Sequence, residues 1–348
     1  MSSSNPSISV VMAVRNGEAY LQEAVESILS QSFQDFEFII INDGSTDGTG
    51  EILQTYRQAD SRFQIISHET GKGLAPSLNR GLALARGQYI ARMDADDISL
   101  PERFAKQVAF LSTHPEIGVC GTWVKTFGQQ ADAINRYPTD GETIQCWLLF
   151  GSGLCHPSVM LRRSFLVQAN LTYDASFQYG EDYDLWVRSS PIFKLANLPE
   201  VLLLYRTHPQ QMVQTYKQEL QLSENHRVWN LIWQRLKLEV SPQEIAIHQA
   251  IYLRDFQCDR AFIQACEAWL CKLRQANEVQ RIYAEPNLSQ VLAWYWFAAC
   301  YQATGLGLWT WRRFWQLPLA RYAALNLREK AKFFLRCCFP GITYRRSS

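Results

Sequence analysis

The chain has 348 residues, of which 47% are apolar and 19% are charged, and its formal net charge is +1. These values are ordinary for a folded globular protein and exclude wholesale disorder. The length favours one larger domain with an appendage over a single unit.

The cysteines and the first residues bear on the compartment. Nine cysteines are spread singly apart from Cys337-Cys338, with no CxxC pair and no spacing typical of a zinc site. Residues 1–6 lack the basic segment of a signal peptide. No run reaches the roughly 18 apolar residues that a membrane-spanning helix needs. We therefore expect a reduced, cytoplasmic protein without a membrane span.

The first hundred residues alternate between two periodicities. A β-branched run at 8–14 predicts a strand, and apolar residues at helical spacing over 20–29 predict a helix. The same alternation continues with strands at 36–41, 63–67 and 88–93, and with helices through 52–56 and 74–85. The resulting βαβαβαβ pattern predicts an α/β fold with a mainly parallel sheet and helices on both faces. Such sheets bind ligands at the carboxyl ends of their strands.

The pattern changes twice further along the chain. After Pro101 it is mixed, with a helix at 101–113, a strand at 119–127, a helix at 142–150, a segment at 156–161 and a helix opening near Glu181. Beyond Tyr216 it becomes helical and rich in Trp and Leu, with Pro242 and Pro286 separating helices. We therefore predict an α/β domain over residues 1–215 and a helical region over residues 216–348.

Three acids follow the fourth predicted strand: Asp94, Asp96 and Asp97. Two carboxylates one residue apart at a strand end point the same way, which suits a hard cation that also touches substrate phosphates. This pattern indicates Mn²⁺ or Mg²⁺. The alternative is a solvated loop whose carboxylates cap the helix that follows.

The acidic triplet is one of several segments that, in order, carry a resemblance to the family 2 glycosyltransferases with the GT-A fold. The likeness spans roughly residues 5–215 and implies a Rossmann-like nucleotide-diphospho-sugar transferase as the catalytic domain. The segments are Val10-Val11-Met12-Ala13-Val14-Arg15-Asn16-Gly17, Ile39-Ile40-Ile41-Asn42-Asp43-Gly44-Ser45-Thr46-Asp47, Asn79-Arg80-Gly81 with Arg86-Gly87, Met93-Asp94-Ala95-Asp96-Asp97, and Tyr179-Gly180-Glu181-Asp182-Tyr183-Asp184-Leu185-Trp186.

The resemblance implies roles for the residues at the ends of the first, second and fourth strands. Asp43 would recognise the nucleotide base by accepting the ring N–H of uracil, and Ala13 and Arg15 would line the same pocket. Asp96 would be the principal metal ligand. Asp94 would contact either the ribose or the metal-bound diphosphate.

Four further residues are candidates on the same basis. Arg86 could neutralise a phosphate, and Lys72 is either a second phosphate contact or a solvated loop lysine. In Tyr205-Arg206-Thr207-His208, the histidine could approach the metal or the diphosphate, although a lone histidine is more often structural. His156 falls where the family often has a residue beneath the acceptor, and its role stays open.

Glu181-Asp182 matches the acidic dipeptide that precedes a helix in the family, which implies Asp182 as the general base with Glu181 in reserve. Attack of a sugar hydroxyl on an anomeric carbon needs a carboxylate to accept the hydroxyl proton. The structural alternative is an acidic first turn that interacts with the helix dipole. Both interpretations can hold together.

The resemblance therefore predicts an inverting transferase of polysaccharide biosynthesis. It would move a sugar from a nucleotide sugar, UDP-sugar first, to a hydroxyl of a glycan or lipid-linked acceptor. A glycosidase would instead place two carboxylates around the bond, and neither the glycine-rich phosphate loop expected for nucleotidyl transfer nor a dehydrogenase GxGxxG motif follows the first strand. A noncatalytic nucleotide- or glycan-binding protein on the same fold is the alternative from another class.

The C-terminal tail is basic and aromatic. Such a composition suits an interfacial helix on anionic lipid, at the inner face of the cytoplasmic membrane, and the alternative is a helix packed on the catalytic domain. We expect no nucleic-acid partner, since the charge is confined to one end and no reader motif is present. Residues 306–348 hold one acid, Glu329, and nine basic residues: Arg312, Arg313, Arg321, Arg328, Lys330, Lys332, Arg336, Arg345 and Arg346.

Overall fold

The computed structural model of the protein describes residues 5–211 and 218–340. The chain divides into two compact units, one of Met1–Leu148 with Ser152–Val228 and the other of Leu149–Gly151 with Trp229–Ser348. The domain boundary expected between residues 215 and 216 lies outside the described residues and stays a prediction. The tail residues Arg345 and Arg346 also lie outside them.

The first unit begins with the predicted alternation of strands and helices. Every residue of the second strand is buried, as expected for a strand covered on both faces. The elements of this half are β1 (Ile8–Val14), α1 (Leu21–Leu29), β2 (Phe36–Asp43), α2 (Thr49–Ala59), β3 (Phe63–His68), α3 (Leu74–Leu84) and β4 (Tyr89–Met93).

The rest of the first unit is mixed. A 3₁₀ turn at His156–Ser158 precedes a short strand, and the unit's last strand is its longest. The patterns read from the sequence had not predicted that last strand. The elements are β5 (Ile98–Ser99), α4 (Arg103–Thr113), β6 (Ile117–Gly128), β7 (Ala133–Asn135), α5 (Gly141–Trp147), β8 (Met160–Arg162), α6 (Arg163–Gln168), α7 (Glu181–Ser189) and β9 (Lys194–Thr207).

These strands form one sheet in the order β3-β2-β1-β4-β8-β6-β9-β5, with β7 paired to β6. The pairs β1–β2, β1–β4, β2–β3 and β6–β9 are parallel. The pairs β4–β8, β6–β8, β6–β7 and β5–β9 are antiparallel. The prediction of a mainly parallel α/β sheet with flanking helices is confirmed.

The strand register decides where the polar strand ends meet. Val14 of β1 lies beside Asn42 of β2, and Asp43 lies beside His68 at the end of β3. Met12 of β1 lies beside Met93, the last residue of β4. The carboxyl ends of β1, β2, β3 and β4 therefore share one edge of the sheet.

The core of the first unit is built from side chains that alternate along these strands. Phe38 and Ile40 of β2 and Phe104 of α4 are fully buried. Deleting most of such a side chain typically costs about 3–5 kcal/mol of unfolding free energy. This close packing gives the loops at the sheet edge a rigid base.

The second unit is helical in its described part, which confirms the predicted helical region. Ser241 closes a capping box ahead of Pro242, and Pro286 directly precedes a helix, so both prolines mark helix starts. None of the described helices is both long enough and apolar enough to cross a membrane. The helices are α8 (Gln218–Arg235, whose first residues belong to the first unit), α9 (Pro242–Leu253), α10 (Arg260–Gln280), α11 (Asn287–Gln302), α12 (Leu308–Gln316) and α13 (Leu327–Cys338).

Candidate active site

Asp43, at the end of β2, is surrounded by donors. Its carboxylate accepts hydrogen bonds from the backbone amides of Lys72 at 2.8 Å and Gly73 at 2.9 Å, and His68 Nδ1 lies 2.8 Å from Oδ1. Burial by itself raises the pKa of Asp43, but these hydrogen bonds outweigh it and bring the pKa below its ordinary value. Asp43 is therefore a fixed anion, 4% exposed.

The loops around Asp43 bring three more predicted residues to this edge. Ala13 is half-buried in β1 beside Ile41 of β2, and Lys72 is exposed in the loop whose amides hold Asp43. Arg15 is exposed and lies against the same loop, since a Cβ on Gly71 would meet its guanidinium at 2.8 Å. The structure thus brings Ala13, Arg15 and Lys72 together with Asp43.

Gly44 makes the tight approach of these loops possible. It has φ +69°, and a Cβ there would lie 2.6 Å from the backbone nitrogen of Gly71. A side chain at this position would meet both a strained backbone and a steric clash.

The Asp94–Asp97 turn follows β4 at the same edge. One ligand atom from each of Asp94, Asp96 and Asp97 can be chosen so that all three lie within 4.8 Å of one another. Asp94 forms an ion pair with the buried Arg92, whose Nη1 lies 2.6 Å from Oδ2. Ala95 lies beside the loop after β1, because a Cβ on Gly17 would be 3.8 Å from its Cβ. The turn therefore borders the same loops as the Asp43 pocket.

The carboxyl groups of the turn are electrostatically crowded. Burial and the neighbouring Asp94 raise the pKa of Asp96, although His208 acts in the opposite direction. Burial, Asp94 and Asp96 raise the pKa of Asp97 well above its usual range. Asp97 is fully buried, and its Oδ2 has no hydrogen-bond partner among the described residues. A cation with oxygen ligands, such as Mg²⁺ or Mn²⁺, fits this donor set.

The residues at the end of β9 and directly after it contact the Asp94–Asp97 turn. His208 Nε2 lies 2.9 Å from Asp96 Oδ2, and the His208 ring packs on Tyr20 with centroids 4.7 Å apart. The backbone nitrogen of Arg206 donates to Asp97 Oδ1 at 2.8 Å. The structure therefore brings His208 into contact with the predicted principal metal ligand.

Glu181 and Asp182 open α7. Gly180 before them is left-handed, with φ +77°, and both acids lie in the first helical turn, where the helix dipole favours them. Glu181 is buried and Asp182 is half-buried. Burial and Asp182 raise the pKa of Glu181 to about 7, and burial raises the pKa of Asp182. The pair holds protons more tightly than exposed carboxyl groups do.

A buried polar chain supports the Glu181 end of this pair. His156 Nε2 lies 2.8 Å from the Tyr173 hydroxyl, and His156 Nδ1 lies 3.7 Å from Glu181 Oε1. Asn79 of α3 fixes Tyr173 by bonding to both its backbone nitrogen and its carbonyl, at 3.0 and 2.8 Å. Burial and the nearby Arg92 charge lower the pKa of His156 well below its ordinary value, so this ring is neutral.

Arg86 does not join these residues. It precedes β4, and its guanidinium pairs at 2.7 Å with Glu37, near the start of β2. Both residues stand at the amino ends of parallel strands, whereas Asp43 and Asp94 follow the carboxyl ends. The structure therefore does not bring Arg86 together with the other candidates, because the length of the strands separates them, and its phosphate contact stays a prediction.

Comparison with known proteins agrees with this architecture. The family model described as glycosyl transferase family 2 matches residues 9–169. The putative glycosyltransferase EpsE of Bacillus subtilis is 39% identical over 210 residues, covering 58% of this chain and 74% of that protein. The O-antigen biosynthesis glycosyltransferase WbnJ of Escherichia coli is 34% identical over 207 residues, covering 58% and 80% respectively.

The chain belongs to glycosyltransferase family 2.

Solved structures extend the likeness in fold. TarS 1–349 of S. aureus, crystallised with UDP-GlcNAc, superposes with a TM-score of 0.58 at 18% identity, covering 84% of this chain and 86% of that one. The mannosyltransferase PcManGT of Pyrobaculum calidifontis, crystallised with GDP-Man and Mn²⁺, gives a TM-score of 0.52 at 14% identity, covering 96% and 88%. The predicted GT-A fold of this family 2 glycosyltransferase is therefore confirmed.

Sequence reasoning named no role for four site residues of this glycosyltransferase: His68, Arg92, Tyr173 and Arg206. His68 could have been found, because it ends β3 as Asp43 ends β2. Arg92 and Arg206 stood beside named candidates but carried no signal of their own. Tyr173 is positioned by Asn79, which lies 94 residues away in sequence, and no local pattern indicates such a contact.

Proposed function

We propose that the protein transfers a sugar from a nucleotide-diphosphate sugar, UDP-sugar first, to a hydroxyl of a glycan or lipid-linked acceptor, with inversion at the anomeric carbon. One observation carries this proposal. The pocket around Asp43 and the Asp94–Asp97 turn lie at the same edge of the sheet. One nucleotide sugar needs such an arrangement to place its base in the pocket and its diphosphate at the turn. The relative WbnJ, named for O-antigen biosynthesis, favours a polysaccharide product.

The donor would enter with its base on Asp43. That carboxylate is held ionised by His68 and two backbone amides, which leaves it an acceptor able to take the ring N–H of uracil. Ala13 and Arg15 would line the same base pocket, and Lys72 would be a candidate phosphate contact from its exposed loop. UDP-GlcNAc bound to TarS supports UDP as the first nucleotide to test.

Asp96 would be the principal ligand of Mn²⁺ or Mg²⁺, with Asp94 and His208 beside it. Asp94 could instead serve the ribose. The bound cation would act as a Lewis acid that stabilises the departing nucleotide diphosphate. Oxygen ligands, the orphaned Asp97 oxygen and the electrostatic crowding of the turn support a cation here. PcManGT and GalNAc-T7, both crystallised with Mn²⁺, share the fold.

Asp182 would be the general base. It is half-buried, lies in the first turn of α7 and has a raised pKa, so it can accept a proton from an acceptor hydroxyl. Glu181, which is more buried and faces His156, would support it and is the reserve candidate. One base and one leaving group suit a single displacement, which inverts the anomeric centre.

The test is a panel of nucleotide sugars incubated with the protein and Mn²⁺, with release of nucleotide diphosphate as the signal. We expect one UDP-sugar to be hydrolysed slowly without acceptor, and EDTA to stop the release. UDP binding without hydrolysis or transfer of any donor would favour the noncatalytic alternative. No UDP binding by calorimetry with Mn²⁺ would exclude the UDP assignment.

We also propose that residues 1–215 carry out catalysis and that residues 216–348 attach the protein to a membrane surface. The surface concerned is one side of α13. Phe333 is fully buried against Trp311 and Phe314, with ring centroids 5.2 and 5.4 Å away. Phe334 and Leu335, its neighbours, are each 41% exposed.

The exposed side of α13 is an apolar strip with a basic border. Leu327 is 84% exposed and lies about two turns before both Phe334 and Leu335 on the same face, while Arg328 and Lys332 are exposed beside it. Glu329, the one acid of residues 306–348, is engaged in the capping box with Asn326. An apolar strip edged by cations fits the anionic inner face of the cytoplasmic membrane.

Liposome co-sedimentation tests this attachment. Leu327→Ser with Phe334→Ser and Leu335→Ser should remove binding to anionic vesicles, and Arg328→Gln with Lys332→Gln should weaken it. The matched control is Val167→Ser with Ile192→Ser and Val279→Ser, which removes apolar residues that are 64%, 57% and 75% exposed elsewhere. Equal binding by the control and the α13 variant would exclude α13 as the attachment.

A further inference from the structure

Arg206, near the end of β9, is hydrogen-bonded to the Asp94–Asp97 turn through both its backbone and its side chain. Its backbone nitrogen donates to Asp97 Oδ1 at 2.8 Å, and its Nε donates to the Asp96 carbonyl at 2.7 Å. Its Nη2 donates to Glu23 of α1. One residue therefore joins the last strand of the sheet, the acidic turn and the first helix.

The Arg206 guanidinium is also enclosed by two aromatic rings. It lies 4.6 Å from the centroid of Tyr20 and 4.5 Å from that of Phe127. A guanidinium this close to the faces of two aromatic rings is attracted to both of them by a cation–π interaction. The side chain is 12% exposed, so its hydrogen bonds compete little with water. These contacts fix the planar, forked guanidinium group of Arg206 in one orientation.

Tyr20 links this fork to His208. The same ring that covers the Arg206 guanidinium packs on His208, and His208 Nε2 reaches Asp96 Oδ2 at 2.9 Å. Arg206 and His208 are two residues apart and approach Asp96 together, one at the peptide carbonyl and one at the carboxylate. Both the backbone and the side chain of Asp96 are thereby held.

We propose that Arg206 is a positioning residue for the metal–diphosphate site, acting through Asp96, Asp97 and His208. The inference rests on the proposed function and adds to it a residue that touches neither metal nor substrate. Its planar fork donates in two directions at once, to Asp96 and to Glu23. A lysine at the same place keeps the charge between the rings but presents a single ammonium group that cannot span both acceptors.

The experiment compares Arg206→Lys with Arg62→Lys. Arg62, which directly precedes β3, is a matched control because its guanidinium also pairs with a carboxylate, that of Asp60. It also donates a hydrogen bond to Gln34 and lies 4.3 Å from the centroid of the Phe36 ring. Binding of Mn²⁺ to the full chain saturated with UDP is measured by the electron paramagnetic resonance of free Mn²⁺. UDP binding in EDTA and the thermal unfolding midpoint are measured alongside.

We expect Arg206→Lys to weaken Mn²⁺ binding by about 10- to 100-fold, the usual effect of losing an outer partner of a metal ligand. UDP binding in EDTA should stay close to wild type, and Arg62→Lys should leave Mn²⁺ binding unchanged. A merely structural role would lower the unfolding midpoint of both variants alike without this selective loss.

Three outcomes would overturn the inference. Wild-type Mn²⁺ affinity in a folded Arg206→Lys variant would exclude positioning by Arg206 and leave the proposed function intact. An equal loss of Mn²⁺ affinity in Arg62→Lys would reduce the effect to general stability. If the wild-type chain itself bound no Mn²⁺ with UDP, the proposed function would fail and the inference with it. Should Arg206→Lys not fold, Glu23→Gln with Tyr20→Leu loosens the same fork and is measured in the same way.

Discussion

The carboxylates at the sheet edge lie in two contrasting environments. Asp43 is surrounded by hydrogen-bond donors of the protein itself, and its pKa is lowered. Asp97 and Glu181 are buried, Asp96 and Asp182 are half-buried, and the pKa values of all four are raised, chiefly by desolvation. The Asp43 carboxylate is satisfied by donors of the protein itself, whereas in the second environment the pKa values stay raised even though Arg92 lies nearby and lowers them. A neutral base edge suits the first, and a cation and an acceptor hydroxyl suit the second.

Asp182→Asn tests the proposed general base and should have the largest effect on transfer. The amide cannot accept the hydroxyl proton, so transfer should fall by about 10²- to 10⁴-fold, the range typical for a positioned general base. UDP binding with Mn²⁺ should stay as in wild type, because the change leaves Asp43 and the acidic turn intact. The measurements are initial transfer rates and calorimetry.

The control for that variant is Glu181→Gln. If Glu181 were the base, its amide would show the larger loss and Asp182→Asn would retain most of its activity. That ranking would reverse the two roles.

Asp96→Asn and Asp43→Asn should separate the two environments. The first variant should lose most Mn²⁺ affinity, by more than the roughly 10- to 100-fold that the loss of an outer partner of a metal ligand costs. It should keep metal-free UDP binding. The second should do the opposite and weaken UDP binding in EDTA by about tenfold, the effect of one hydrogen bond to a charged group. If both variants lost Mn²⁺ affinity and UDP affinity to the same extent, the two carboxylate environments would not serve different ligands.

The pH dependence of transfer should follow the raised pKa values. A base with a raised pKa is protonated over a wider acidic range, so activity is lost as pH falls. At saturating Mn²⁺ we expect kcat to decline by about tenfold per pH unit below an apparent pKa well above that of an exposed aspartate, since Glu181, with a pKa of about 7, and Asp182 titrate as a coupled pair.

Metal-free UDP binding is the internal comparison for that profile. Asp43 has a lowered pKa and stays ionised across the same range, so its contribution should change little between mildly acidic and neutral pH. A steep fall of UDP binding with the same midpoint as kcat would assign the titration to the donor pocket.

The smallest effect is expected for Arg86→Met. Its guanidinium pairs with Glu37 at the amino ends of the strands and is 58% exposed, so the unfolding free energy should fall by about 1 kcal/mol or less. Donor affinity and transfer rate should not change. A loss of UDP affinity greater than the loss seen with Asp43→Asn would return Arg86 to the donor site.

The sequence indicated the first half of the fold well. Strands such as Ile8–Val14 are almost continuously apolar, and apolar residues recur at helical spacing in the helices between the strands, so a parallel α/β arrangement follows from two local periodicities. The last strand, Lys194–Thr207, was not predicted because it crosses Pro199 and Glu200 and pairs with β6 through register shifts. Its existence depends on a partner strand about 80 residues earlier.

Arg86 illustrates why motif order does not give position. It lies in a segment that matches the family as well as Asp94 does, and the two are eight residues apart in the chain. A buried strand separates them, however, and a strand carries its two ends to opposite edges of the sheet. Proximity to Asp94 in sequence therefore does not bring Arg86 to the carboxyl end of β4, where Asp94 lies.

By itself, the sequence determined the family, the α/β class and the acids that follow the strands, because strand and helix periodicities and short motifs are local properties. Only the tertiary structure decided which of those acids are fixed anions and which are crowded, since hydrogen-bond donors and desolvation come from distant segments. His68, at the end of β3, and Lys72 and Gly73, in the loop after it, lower the pKa of Asp43. Arg206 reaches Asp96 across 110 residues. Such contacts arise when the sheet brings strand ends together, and no local pattern encodes them.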